Sequence, residues 1–110
     1  MISSTQKQGK RADNMTKTKD RPVLVTTEFR GVFFGYAEDT KGDVISLRAA
    51  RNCIYWTSKV GGFLGLAEKG PDSGSRIGAP ADVELRKITA VAEVSKGAEA
   101  AWIAAPVYRG

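Results

Sequence analysis

Pro22-Val23-Leu24-Val25-Thr26-Thr27-Glu28-Phe29-Arg30-Gly31-Val32-Phe33-Phe34-Gly35-Tyr36 is the stretch whose reading decides the fold. Val23, Val25, Thr27 and Phe29 share one face of an extended chain, with Leu24, Thr26 and Glu28 on the other, a period of two that marks a strand. Arg30 and Gly31 supply a reversal or bulge, after which Val32, Phe34 and Tyr36 alternate with Phe33 and Gly35. Two alternating runs separated by so short a polar break predict a β-hairpin.

Downstream, the same pattern recurs. The polar run Asp39 to Asp43 predicts a turn, and Ile45, Leu47 and Ala49 then fall on one face of a third strand, Val44 to Ala49. A polar step at Arg51 and Asn52 separates it from a fourth strand, Cys53 to Thr57, rich in strand formers. Between Gly61 and Gly70 the spacing of Phe63, Leu66 and Ala67 is helical, but Gly61, Gly62 and Gly65 weaken a helix, so at most a short helical turn is expected. Residues 71 to 80 read as a loop dense in Gly, Ser and Pro. Val83 and Leu85 alternate, and Ile88, Ala90, Ala92 and Val94 continue in the opposite phase, which predicts the longest strand with a bulge near Arg86 and Lys87. Ser95 caps a helix through Ala105, with Ala98, Ala101, Trp102 and Ala105 on one face and Pro106 forbidding its continuation.

Five strands and one helix predict a mainly β, β-rich α+β fold: a small twisted antiparallel sheet or a partly open SH3/Sm-like barrel, with a C-terminal helix whose Trp102 closes the core. Residues 21 to 110 form the single globular domain. Residues 1 to 20 carry too little apolar surface to offset ordering entropy and read as a disordered basic tail, with Met15 an alternative start. A core of this modest size would gain from burial in a homo-oligomer.

Composition narrows the chemistry. The net charge is +5, but it is concentrated in residues 1 to 21, where Lys7, Lys10, Arg11, Lys17, Lys19 and Arg21 face only Asp13 and Asp20, while the rest of the chain is nearly neutral. Charge therefore favours attraction of phosphates by the tail without marking a basic face on the domain. No run approaches the roughly 20 apolar residues of a membrane span, and the first residues lack the apolar core of a secretory signal, so a cytoplasmic protein is expected, in the host cell's cytoplasm if phage-encoded. The chain has no histidine and one cysteine, Cys53, which argues against a metal site and leaves that thiol with no imidazole to activate it. Serine chemistry would need a lysine or terminal-amine base, and no Ser-x-x-Lys motif is present. Glu38, Asp39, Asp43 and Glu68 are the carboxylates that could pair as acid and base or hold magnesium, a role that scattered surface carboxylates rarely fill. No catalytic residue, cofactor or metal is expected.

Binding candidates are clearer. The loop from Gly70 to Gly78 presents backbone amides with Ser73, Ser75 and Arg76, the makings of an anion cradle or equally of a surface crossover built from turn residues. It lacks the Gly-Lys-Ser/Thr ending of a phosphate-binding P-loop. Arg51 and Asn52 set fork-like donors beside Tyr55 and Trp56, whose rings could stack a base or serve the core. Arg30 is an anion ligand in one reading and a solvated turn residue in the other. If Arg51 and Arg76 open onto one concavity, they form a two-point anion site.

The residues Thr26 to Tyr36, Ala50-Arg51-Asn52-Cys53-Ile54-Tyr55-Trp56 and Gly62-Phe63-Leu64-Gly65-Leu66-Ala67 resemble a family of small tailed-phage proteins of unknown function, over about Pro22 to Pro106. That resemblance implies a phage or prophage origin and transfers no catalytic residues. It makes an anti-defence binding role the leading expectation: a non-enzymatic accessory protein that engages a host protein or sequesters a small phosphorylated, anionic ligand. The strand order also resembles Sm-like barrels, though the Asp and Asn of their RNA pocket have no convincing counterparts here. The second expectation is a module for RNA or single-stranded DNA assisted by the basic tail.

Overall fold

The alternation of residues 22 to 36 folds as a hairpin. In the structure, a computed structural model that describes residues 20–28 and 31–109, β1 (Arg21–Thr27) pairs antiparallel with β2 (Val32–Ala37), with Val23 opposite Gly35 and Val25 opposite Phe33. The tail, Phe29 and Arg30 lie outside the described residues. β3 (Val44–Tyr55) pairs with β2, and its far edge carries both β4 (Arg76–Ile77) and β5 (Ala81–Arg86). After Lys87 the chain enters β6 (Ile88–Glu93), which pairs with β1. Among the described residues six antiparallel strands follow the path β4-β3-β2-β1-β6, with β5 beside β3. Residues 81–93 run from the β3 edge to the β1 edge, which curls the sheet, and it does not close. The described residues also hold two helices, α1 (Gly62–Glu68) after a 3-10 turn at Ser58–Val60, and α2 (Lys96–Ala104). The β-rich α+β class is the one expected, and no described helix is long and apolar enough to cross a membrane.

Four expectations about elements are corrected. The polar step at Arg51 and Asn52 is not a turn: one strand of 12 residues runs through it. That strand, not residues 81–94, is the longest, because positive φ at Lys87 (59°) breaks the latter into two strands that serve opposite sheet edges. Ala49 is exposed rather than aligned with Ile45 and Leu47, because its φ of 51° makes a bulge that reverses the inward phase of β3. The glycine-rich segment also forms a seven-residue helix, more than the single turn its composition suggests. Gly65 is required there: a Cβ at that position would stand 1.8 Å from the Val60 carbonyl oxygen.

Burial falls on both faces of the hairpin, which explains why β1 reads Val-Leu-Val. Val23 and Val25 join Ile45, Leu47, Ala50 and Leu85 in a core enclosed by the curled strands. Leu24 joins Phe34, Cys53, Leu66, Ala98 and Trp102 in a second core under the helices. Ser95 starts α2 as the cap expected of it, accepting from the Ala98 amide at 3.0 Å, while its hydroxyl donates to the Glu68 carbonyl at 2.6 Å and so ties the two helices. Trp102 is fully buried, stacks on Phe34 with ring centroids 5.3 Å apart, and donates from Nε1 to the Leu66 carbonyl at 3.1 Å. Trp102→Ala should therefore lower unfolding stability by about 3 to 5 kcal/mol, the range for deleting a buried indole. Urea denaturation of the variant and parent measures it.

Candidate binding site

The bulge at Ala49 sets the chemistry of the second half of β3. Beyond it Arg51 and Cys53 turn toward the helix-covered core, while Asn52 and Ile54 face outward. Arg51 is 4% exposed. Its Nε donates to the Gly78 carbonyl at 2.8 Å, and its Nη1 donates to the carbonyls of Trp102 at 2.9 Å and Ala105 at 2.6 Å. Nη2 is buried without a partner among the described residues. Burial pulls the pKa of this guanidinium below the ordinary arginine value. The expected anion ligand is thus a structural cation, held by three carbonyls, and it does not open onto a concavity with Arg76.

The loop is corrected in the same way. Its amides and hydroxyls do converge on an anion, but the anion is the protein's own Asp72. The Asp72 carboxylate accepts from Thr57 Oγ1 at 2.6 Å, Ser75 Oγ at 2.9 Å and the Gly74 amide at 3.1 Å. These bonds, led by that of Thr57, hold its pKa below the usual carboxylate value. Ser75 is therefore engaged inside the loop, and Ser73 is exposed at its tip. Cys53 is buried, and loss of solvation pushes its thiol up to about 11, so it packs as an unreactive group.

Arg76 stands apart. Its guanidinium lies 5.2 Å from the Tyr55 ring centroid and 5.1 Å from that of Tyr108, and no carboxylate pairs with it among the described residues. Tyr55 is its cross-strand neighbour, and Tyr108 is delivered by the C-terminal segment, where the Tyr108 amide donates to the Ile77 carbonyl at 2.8 Å. The rings remain 48% and 40% exposed. Asn52 is exposed on β3 and its carbonyl accepts from the Gly78 amide at 2.9 Å; Trp56 is half-buried against the helix-covered core. The sequence reading therefore named Tyr55 and Arg76, which the structure brings together, and missed Tyr108. The signal available for it was a tyrosine followed by Arg109 just past a helix-ending proline.

Elsewhere, Asp20, Glu38 and Asp39 line a hollow of about 480 Å³ with Tyr36, Val44, Ser46 and Arg48, and Arg48 is paired with Asp20. Its carboxylates repel anions. Glu38, Asp39, Asp43 and Glu68 do not assemble into a metal-holding group, and no such cluster exists among the described residues. Behind the hollow, Tyr36 donates to Glu99 at 2.5 Å, and burial, then that bond, push its phenol up to about 12.

Fold and site together define a β-rich α+β domain with a cation framed by aromatic rings at one sheet edge. The chain belongs to the family of a domain of unknown function (DUF6948), whose model matches residues 20–102 and so includes Tyr55 and Arg76. No curated protein and no solved structure matches it.

Two outcomes follow from this geometry. Arg51→Ala strands three carbonyls, so it should cost roughly 3 kcal/mol or more of stability, since bonds to a charged donor contribute about 1.5 to 3 kcal/mol each and are not additive. Thermal melts read this directly, and an unchanged midpoint would show that the three bonds contribute nothing. Tyr36 has a folded pKa raised above its unfolded value of 10.0, so its contribution is full below pH 10 and fades as pH rises toward 12. Parent stability should fall across that window more steeply than that of Tyr36→Phe, and the last phenolate absorbance step should vanish in the variant.

Proposed function

We propose that this protein is a non-enzymatic binding module of phage type that takes up a small phosphorylated ligand carrying a planar ring, with Arg76 as the anion fork and Tyr55 and Tyr108 as stacking faces. The observation that carries this reading is the exposed guanidinium poised over two tyrosine rings with no carboxylate paired to it among the described residues. A guanidinium is planar, weakly hydrated and matched to phosphate in two-point contacts, and contact with aromatic faces limits the orientations it must lose on binding. The resemblance to small tailed-phage proteins supports a setting in which such uptake withdraws a host defence signal.

A second reading, favoured by the presence of two exposed rings rather than one, is a site for single-stranded nucleic acid, whose successive bases could stack on Tyr55 and Tyr108. The test is titration of the full chain with a panel of nucleotides, inorganic phosphate and short single-stranded oligonucleotides. Arg76→Ala should weaken the bound member about ten- to a hundredfold, the roughly 1.5 to 3 kcal/mol of a charged hydrogen bond, at unchanged melting temperature. Arg76→Lys should recover only part, since it keeps the charge and loses the fork. Preference for an oligonucleotide, with affinity falling steeply as salt rises, selects the second reading. Both readings fail if nothing in the panel saturates the protein, or if Arg76→Ala binds as tightly as the parent.

A further inference from the structure

Gly78 leaves a gap in the face that carries Arg76. Its amide donates to the Asn52 carbonyl at 2.9 Å, so the two residues sit side by side, one on β3 and one just past β4. On the other side Ile77 bridges Val107 in parallel, which sets Tyr108 level with Gly78. Asn52, Gly78 and Tyr108 therefore form one cross-strand row on the outward face, the face that alternation gives to exposed Arg76 and denies to buried Ile77. With about 4.8 Å between neighbouring strands, the Asn52 and Tyr108 backbones stand about 10 Å apart, and only glycine lies between them.

Neither usual reason for a glycine applies at this position. Gly78 is not among the glycines with positive φ. Apart from its chain neighbours, a Cβ built there would meet Asn52 alone, at ordinary contact distances of 3.7 Å to the carbonyl oxygen and 3.8 Å to Cβ. A side chain would fit and would fill the row. As it stands the floor is open, and neither the Arg76 guanidinium nor the Tyr108 ring comes within 4 Å of that point.

The Asn52 side chain is exposed beside this floor, and nothing bonds its amide among the described residues. A carboxamide sets donors next to an acceptor, which complements the edge of a nucleobase, where a donor and an acceptor also stand side by side. Asn52 and Arg76 are diagonal neighbours, about 7 to 8 Å apart, and so can engage two ends of one molecule. We propose that the ring taken up beside Arg76 is a nucleobase, standing over Gly78 with its edge on the Asn52 amide, a face against Tyr108 and its phosphate on Arg76. This rests on the binding role proposed above and narrows its ligand from a phosphorylated ring to a nucleotide, with Asn52 as the residue that reads the ring.

The test is calorimetric titration of the full chain with the four nucleoside 5′-monophosphates and with phenyl phosphate, which keeps a ring face and a phosphate and lacks the hydrogen-bonding edge. At least one nucleotide should bind about tenfold more tightly than phenyl phosphate. Asn52→Leu, close in volume and without hydrogen-bonding groups, should remove that advantage at unchanged melting temperature. Gly78→Val fills the floor and should weaken the same nucleotide about tenfold or more; where valine also lowers the melting temperature, Asn52→Leu decides alone. The inference is overturned if no monophosphate saturates the protein, if phenyl phosphate binds as tightly as every nucleotide, if Asn52→Leu keeps the full preference, or if a folded Gly78→Val binds as the parent does. Should phenyl phosphate match the nucleotides and still be weakened by Arg76→Ala, the anion site at Arg76 stands and only the nucleobase assignment falls. If Arg76→Ala weakens neither, both fall together.

Discussion

The buried guanidinium of Arg51 is the interaction on which the architecture depends. Its carbonyl partners belong to two parts of the chain that are far apart in sequence: Gly78 after β4, and the end of α2, where Trp102 lies in the last turn and Ala105 at the cap. The last carbonyls of a helix lack intrahelical donors and carry the negative end of its dipole, so a cation there satisfies both deficits at once. Removing a charge from water is costly, and among the described residues this one has no carboxylate to offset it. The offset comes from the three carbonyls, which would themselves be underpaired without it. The arrangement fixes where α2 stops, and therefore where the chain beyond Pro106 is laid down.

That placement connects stability to the surface. Past α2 the chain turns back along β4, where Val107 bridges Ile77 and the Tyr108 amide finds the Ile77 carbonyl. β4 is only two residues long, held by β3 on one side and by this segment on the other. Arg51 reaches the Gly78 carbonyl just past β4 and the Ala105 carbonyl just before the returning segment. One buried arginine thus holds both supports of an exposed one, Arg76, together with the ring of Tyr108. The two arginines that sequence reasoning grouped as a ligand pair are linked through backbone rather than through a shared ligand.

Much of the fold was legible because alternation survives folding wherever one side chain in two is buried. The hairpin of β1 and β2, the Ser95 cap and the inward Trp102 follow from local patterns, and so does the change of phase near Lys87, which reads as a bulge within one strand and is a break between two. β3 was not legible as one strand because Arg51 and Asn52 look like a polar turn; nothing local reveals that carbonyls from residues 78, 102 and 105 will surround the guanidinium. The bulge at Ala49 was equally hidden, since alanine carries no signature of positive φ. Of the site, Tyr55 and Arg76 were visible as residue types, whereas Tyr108 enters only through the path that the chain takes after α2.

The loop explains why Arg76 has no carboxylate partner among the described residues. Asp72 lies four residues before it and would be the natural partner of a nearby guanidinium, but its carboxylate is turned to Thr57, Ser75 and the Gly74 amide. Those donors favour the ionised form and so hold its pKa low, which means that the carboxylate stays charged and stays engaged. If Asp72 were released, it would be an anion competing for Arg76 within the loop. Because it is tied down, the loop's donors satisfy an internal anion while the guanidinium beyond them faces solvent between two rings. The anion cradle anticipated from the glycines and serines therefore exists, but its consequence is indirect: by holding one carboxylate, it leaves a cation open to another.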